Sequence, residues 1–146
     1  IWQMPAKQGI IMTANNTVFV DTSAFYALMD SSDKHHAEAA AQWTSLIEED
    51  FQLLTTNYVA LETVALLQNR LGFDASSLWY GDVLGVAEVL WTDEYLHRLA
   101  FELWLSLGKR RISLVDCVGF VAMRQRQITR AFCFDGHFAD EGFETV

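Results

Sequence analysis

TVFVDTSA, residues 17–24, sets a β-branched and aromatic run directly before an aspartate and two hydroxyl residues. The run from Thr17 to Asp21 has the composition of a buried strand, in which branched and aromatic side chains pack well on a pleated surface. Thr22 and Ser23 are residue types that cap helices, so the strand is expected to pass at once into a helix over residues 24–29.

Outward from this stretch the alternation repeats. Residues 51–55 (FQLLT), 86–91 and 131–134 (AFCF) read as further strands, with 143–146 a short edge strand. Helical stretches fall between them: 35–48, a helix opened by Thr56 and Asn57 and stopped by Gly72, residues 74–84, a helix begun by Thr92-Asp93-Glu94 and halted by Gly108, and a helix capped by Ser113 and running to about Arg126. Strands that alternate with helices and read as continuous apolar runs belong to a parallel sheet covered on both faces. The expected architecture is a single α/β domain, a three-layer α/β/α sandwich with a central parallel sheet. Residues 1–16 are set aside as an N-terminal extension or expression remnant, leaving 17–146 as the domain.

With 51% hydrophobic residues and one proline in 146, the chain is neither disordered nor divided by an obvious linker. Its apolar runs are broken by charge well before the roughly 20 residues of a membrane span. The N-terminus lacks the pattern of a signal peptide, and a cytoplasmic location is expected. Cys117 and Cys133, both in apolar surroundings, are expected to be buried reduced thiols rather than zinc ligands. The net charge of −9 argues against a broad basic surface that grips nucleic acid. Positive charge is nevertheless clustered, at Lys109-Arg110-Arg111 and at Arg124, Arg126 and Arg130, where it can bind phosphate locally or simply mark solvated helix ends.

Four carboxylates contradict the apolar pattern of their own elements. Asp21 and Asp135 each close a strand, and in open parallel sheets the ligand crevice lies beyond the carboxyl ends of the strands. Glu62 shares a helix row with Tyr58 and Leu66, and Asp116 with Ile112, Phe120 and Met123, so both are expected on core-facing stripes. Glu38 and Glu102, by contrast, lie in rows with Lys34 and Gln42 or Arg98 and Ser106, ordinary solvated faces. Two unit charges about 5 Å apart at an effective dielectric near 20 repel by roughly 3 kcal/mol. Four carboxylates in one crevice therefore take up protons, recruit a basic side chain, or bind a hard cation. Oxygen-only ligands suit Mg²⁺ or Mn²⁺.

At these residues the sequence resembles the PIN-domain family, and within it the VapC-type toxins of toxin–antitoxin pairs. Residues 17–24 look like the family's opening strand and first acid, with Ser23 the accompanying hydroxyl. Residues 55–63 (TTNYVALET) resemble the second motif, 113–123 (SLVDCVGFVAM) the third, and 131–138 (AFCFDGHF) the fourth. The resemblance implies a metal-dependent endoribonuclease, usually a homodimer neutralised by a small VapB-like antitoxin. It assigns Asp21, Asp116 and Asp135 as Mg²⁺ or Mn²⁺ ligands and Glu62 as a ligand or the base that deprotonates water. Ser23 and Asn57 are candidates to support these acids or to cap helices. Asp140 is a fifth acid that can share the role of Asp135, and His137 is read as a turn or surface residue. An aspartyl phosphotransferase is a poor rival, because position 23 is serine and no lysine occurs between Lys34 and Lys109. The non-enzymatic alternative is a PIN-like binding module whose acidic pocket receives a partner's arginine.

Overall fold

The structure, a computed structural model, describes residues 16–146. The stretch assigned to an N-terminal extension therefore lies, but for Asn16, outside the described residues. Five strands, β1 (Thr17–Val20), β2 (Gln52–Thr56), β3 (Glu88–Leu90), β4 (Arg130–Phe132) and β5 (Glu144–Thr145), form one sheet in the order β3-β2-β1-β4-β5. Every pairing is parallel, with Phe19 of β1 opposite Leu54 of β2 and Ala131 of β4. Around the sheet lie α1 (Thr22–Met29), α2 (His36–Glu48), α3 (Asn57–Leu71), α4 (Phe73–Leu78), α5 (Glu94–Leu107), α6 (Leu114–Gln125) and α7 (His137–Asp140). This is the expected three-layer α/β arrangement. Among the described residues no helix is long and apolar enough to cross a membrane.

Local chemistry explains most boundaries. Thr56, Asp93 and Ser113 cap α3, α5 and α6 by accepting the backbone N–H of Val59, Leu96 and Asp116. Gly72 ends α3 at φ 99°, a conformation side chains rarely adopt, and Gly108 ends α5 in the left-handed region at φ 56°. At α1 the cap is Asp21 itself, not the following hydroxyls. The helix expected over 74–84 is shorter: α4 gives way to a wide turn at Trp79–Val83 and a tight one at Leu84–Val86.

The core lies on both faces of β1. Phe19, buried completely, has its ring centroid 5.6 Å from Phe138, which packs edge-on to Phe120 at 4.9 Å. Gly119 in α6 passes directly over this cluster, and a Cβ there would stand 3.0 Å from Phe19 Cζ and 3.2 Å from its Cε1. The walled-in Phe19 ring has nowhere to retreat, so overpacking outweighs the helix propensity gained. Gly119→Ala is expected to lower stability by about 1–2 kcal/mol, read as a reduced urea midpoint at unchanged slope.

Of the aromatic residues in the middle helices, Trp79 alone is core; Tyr80, Trp91, Tyr95, Phe101 and Trp104 are all exposed. At the start of α2, His35 stacks on Phe134 with centroids 4.5 Å apart and His36 Nδ1 lies 2.8 Å from the Ala27 carbonyl. The helix row carrying Glu62 does not face the core: Tyr58 and Leu66 are half-buried and Glu62 is exposed. Both cysteines are buried free thiols as expected, with burial first among the causes that push Cys117 to about 11 and Cys133 to about 12.

Candidate functional site

In the strand order β3-β2-β1-β4-β5 the chain leaves β1 in one direction and returns to its other side with β4. The gap between the carboxyl ends of β1 and β4 is the switch point where open parallel sheets bind ligands. Asp21 follows β1 there, and Asp135 follows β4 by three residues. The backbone holds the two ends together, with the Asp21 N–H donating to the Phe132 carbonyl at 3.1 Å.

Ser23 completes this junction. Its hydroxyl donates to Asp21 Oδ2 at 2.7 Å and accepts the Phe134 N–H at 3.0 Å. The Ser23 backbone N–H reaches the same carboxylate oxygen at 3.2 Å. One hydroxyl thus orients the acid of β1 and ties it to the strand that delivers Asp135. Asp21 is 4% exposed, and its carboxyl is pushed up to about 8. Burial is the largest cause; Asp135 and Asp116 add repulsion, while the Ser23 hydrogen bonds pull the other way.

Asp116 arrives from α6. It closes a capping box in which Ser113 Oγ accepts the Asp116 N–H at 3.1 Å and Asp116 Oδ2 accepts the Ser113 N–H at 3.0 Å. The cap fixes the rotamer, so a local helix signal aims a buried acid. Burial raises its carboxyl above the usual range and Asp135 adds to the rise, against the Ser113 N–H and His137, which lower it. Glu62, on the second turn of α3, reaches solvent, yet partial burial and then the charges of Asp116 and Asp135 raise it too. Asp21, Glu62 and Asp116 therefore each lie in the field of Asp135, and Asp21 and Glu62 in that of Asp116 as well.

His137 belongs with them. Its Nδ1 lies 3.0 Å from Asp116 Oδ2 and 3.7 Å from Asp135 Oδ1, and the His137 N–H donates to Asp135 Oδ1 at 3.1 Å. With its proton on Nδ1 the ring donates to Asp116 and bridges α6 to the loop after β4. Its sequence signal was the spacing Asp135-Gly136-His137, which returns the histidine to the aspartate through a tight turn.

Asn57 and Asp140 fall elsewhere in the network. Asn57 Oδ1 accepts the Thr92 N–H at 2.7 Å and so fastens the segment after β3 to the start of α3; the cap of α3 is Thr56. Asp140 is exposed at the end of α7 and is not among the charges that raise Asp21, Glu62 or Asp116.

Comparison with known proteins matches this arrangement. The PIN domain sequence family aligns with residues 18–143. The 23S rRNA-specific endonuclease VapC20 of Mycobacterium tuberculosis is 34% identical over 130 residues, covering 88% of this chain and 97% of the relative. Its crystal structure, described as that of a sarcin–ricin loop cleaving toxin, superposes with a TM-score of 0.79 at 32% identity over 86% of this chain and 95% of that one. FitAcB of Neisseria gonorrhoeae matches with a TM-score of 0.64 at 15% identity, covering 88% of this chain and 95% of that one. DNA-bound VapBC of Salmonella typhimurium matches at 0.63 and 12%, covering 89% and 96%. These last two share the fold. Because the family match spans nearly all the described residues and VapC20 repeats both sequence and shape, this chain belongs to the PIN domain family.

Proposed function

We propose that this protein is a Mg²⁺- or Mn²⁺-dependent endoribonuclease that cuts a structured loop of ribosomal RNA, as the name of its VapC20 relative suggests. The observation that carries the reading is the group of carboxylates at the switch point, three of them raised by burial and by the charge of neighbouring acids, Asp135 in every case. The donors are all oxygens, which suits a hard cation. Among the described residues no three acid, histidine or cysteine side chains close around a common point.

In this reading Asp21, Asp116 and Asp135 hold the ion directly or through bound water, and Ser23 and His137 keep the first two from turning away. When bound, such an ion neutralises phosphoryl charge and lowers the pKa of water. Glu62, the most exposed of the raised acids, is the group this reading assigns to accept a proton from the attacking water. The 2′-hydroxyl has no part, so the products carry a 5′-phosphate and a 3′-hydroxyl.

A VapB-like antitoxin and a second copy of the chain are the partners this reading implies. Their support is apolar surface that no described residue covers: a groove of about 660 Å³ beside α3 and α4, lined by Leu61, Phe73, Tyr80 and Trp91 among others.

The test is incubation of the protein with a sarcin–ricin-loop RNA hairpin in Mg²⁺ and in chelator, with mapping of the termini. The expected result is one principal cut with a 5′-phosphate, absent in chelator. Cleavage that persists in chelator overturns the metal mechanism. No cleavage at all, together with tight binding of an arginine-bearing peptide, favours the binding-module alternative.

A further inference from the structure

The two basic clusters have different fates. Arg124, Arg126 and Arg130 each find a glutamate, at 3.1 Å to Glu141, 3.3 Å to Glu88 and 3.5 Å to Glu144, and Arg98 pairs with Glu94. Among the described residues no carboxylate pairs with Lys109, Arg110 or Arg111, and all three are exposed. In a chain of net charge −9, acids are abundant enough to have answered these cations had the fold required it. Three adjacent like charges left without a counter-ion repel one another and gain from an anion that comes from outside.

Their place in the fold says which anion. Gly108, left-handed at φ 56°, turns the chain out of α5 and into the basic triplet. Two residues after Arg111 comes Ser113, whose N–H is bonded to the Asp116 carboxylate at 3.0 Å. Two residues of chain span at most about 7 Å, so the triplet ends, at Arg111, by the lip of the acidic notch. On its other side Trp104 is 38% exposed and stacked on Phe101 with centroids 5.6 Å apart. Trp104, Leu105, Gly108, Lys109 and Arg110 line a recess of about 340 Å³. An aromatic surface beside unpaired cations is the combination that holds unstacked nucleotides, bases against the ring and phosphates against the charge.

We propose that the recess between Trp104 and Lys109-Arg110-Arg111 is an RNA-docking subsite. It holds the backbone and one unstacked base of the strand flanking the scissile phosphate. This resolves how so acidic a protein grips a polyanion: the grip is local, one loop wide, and joined through Ser113 to the acid it serves. The inference rests on the nuclease reading above.

The experiment uses the sarcin–ricin-loop hairpin in Mg²⁺ over a salt series, with anisotropy of the labelled hairpin in chelator as the binding readout. K109Q/R110Q/R111Q is expected to weaken binding and raise KM by about 10–100-fold, with a much smaller change in kcat. The slope of log affinity against log salt should shrink by about 2, as for three lost single-strand phosphate contacts. W104A is expected to raise KM about tenfold without changing that slope. The charge-keeping variant K109R/R110K/R111K should restore the wild-type values, which a merely structural loss would not allow. If wild type cuts the hairpin and the glutamine variant cuts it with the same KM and salt slope, the docking subsite is overturned while the nuclease reading stands. If wild type neither binds nor cuts the hairpin, both fall together. A poly-glutamate peptide that binds as tightly as RNA of equal charge and is displaced by the same variants would overturn RNA as the occupant.

Discussion

Asp21→Asn is expected to cut RNA cleavage by about 10²–10³-fold or more and, in the metal-free protein at neutral pH, to raise thermal stability. The two effects share one cause. Asp21 is buried beside Asp135 and Asp116, and its carboxyl stands at about 8 in the folded chain against an ordinary 3.8. A carboxylate raised on folding binds its proton more tightly in the native state. The stability this proton supplies is complete below about pH 4, falls as pH rises, and is lost by about pH 8. Asparagine keeps the shape and can still accept from the Ser23 hydroxyl and N–H, but it carries no charge for its neighbours to repel.

The gain from Asp21→Asn should therefore be near zero at about pH 4 and grow to about 2–4 kcal/mol near pH 8, or very roughly 5–12 °C in Tm. Glu62 and Asp116 are raised as well, so wild type without metal should lose stability over the same interval even beyond the share of Asp21. Thermal melts of both proteins in chelator across this range check the claim. A variant that is less stable at every pH, or a gap that does not widen with pH, would show that Asp21 is a structural cap and not part of a strained site. The expected pattern is that of a group kept at a cost to stability because function needs it there.

The fold was legible because the inner strands β1, β2 and β4 lie in short apolar runs, two of them passing at once into a capped helix. Asp93 and Ser113 act as the caps expected, and Gly72 and Gly108 as the stops. The acids were legible because they broke those patterns. What escaped was of a different kind. α7 is four residues long, too short for any helical period to show, and it carries His137 into the site. The stacking of His35 on Phe134 joins residues about a hundred positions apart, which no local window contains. Helical spacing did mark Glu62 as anomalous, but a helix on the rim of a crevice can leave a functional acid facing water rather than core. The exposed aromatics of α5 show the same limit. Periodicity says which side chains share a face, while only the tertiary structure says whether anything covers it.

Divalent metal should reverse the cost that Asp21 imposes, and the reversal should depend on pH in the opposite sense to the metal-free stability. Binding an ion requires the protons on Asp21 and Asp116 to leave, and both are held more firmly than usual. At about pH 5 protons win, and ~10 mM Mg²⁺ is expected to change Tm by less than about 2 °C. Near pH 8 the carboxylates are free to bind, and an ion at about a hundred times its dissociation constant adds about 2.7 kcal/mol, some 6–10 °C. Cleavage should rise over the same interval and fall to background in chelator at every pH. Asp21→Asn, which removes both the repulsion and a ligand, should lose most of the Mg²⁺-dependent gain. Calorimetric melts with and without Mg²⁺ at the two ends of the range decide it. A shift as large at pH 5 as at pH 8 would mean that the ion binds elsewhere on an acidic surface. No shift in wild type at either pH, with cleavage intact, would detach the chemistry from the carboxylates altogether. The acids crowded at the end of β1 and β4 would then need another reason for their cost.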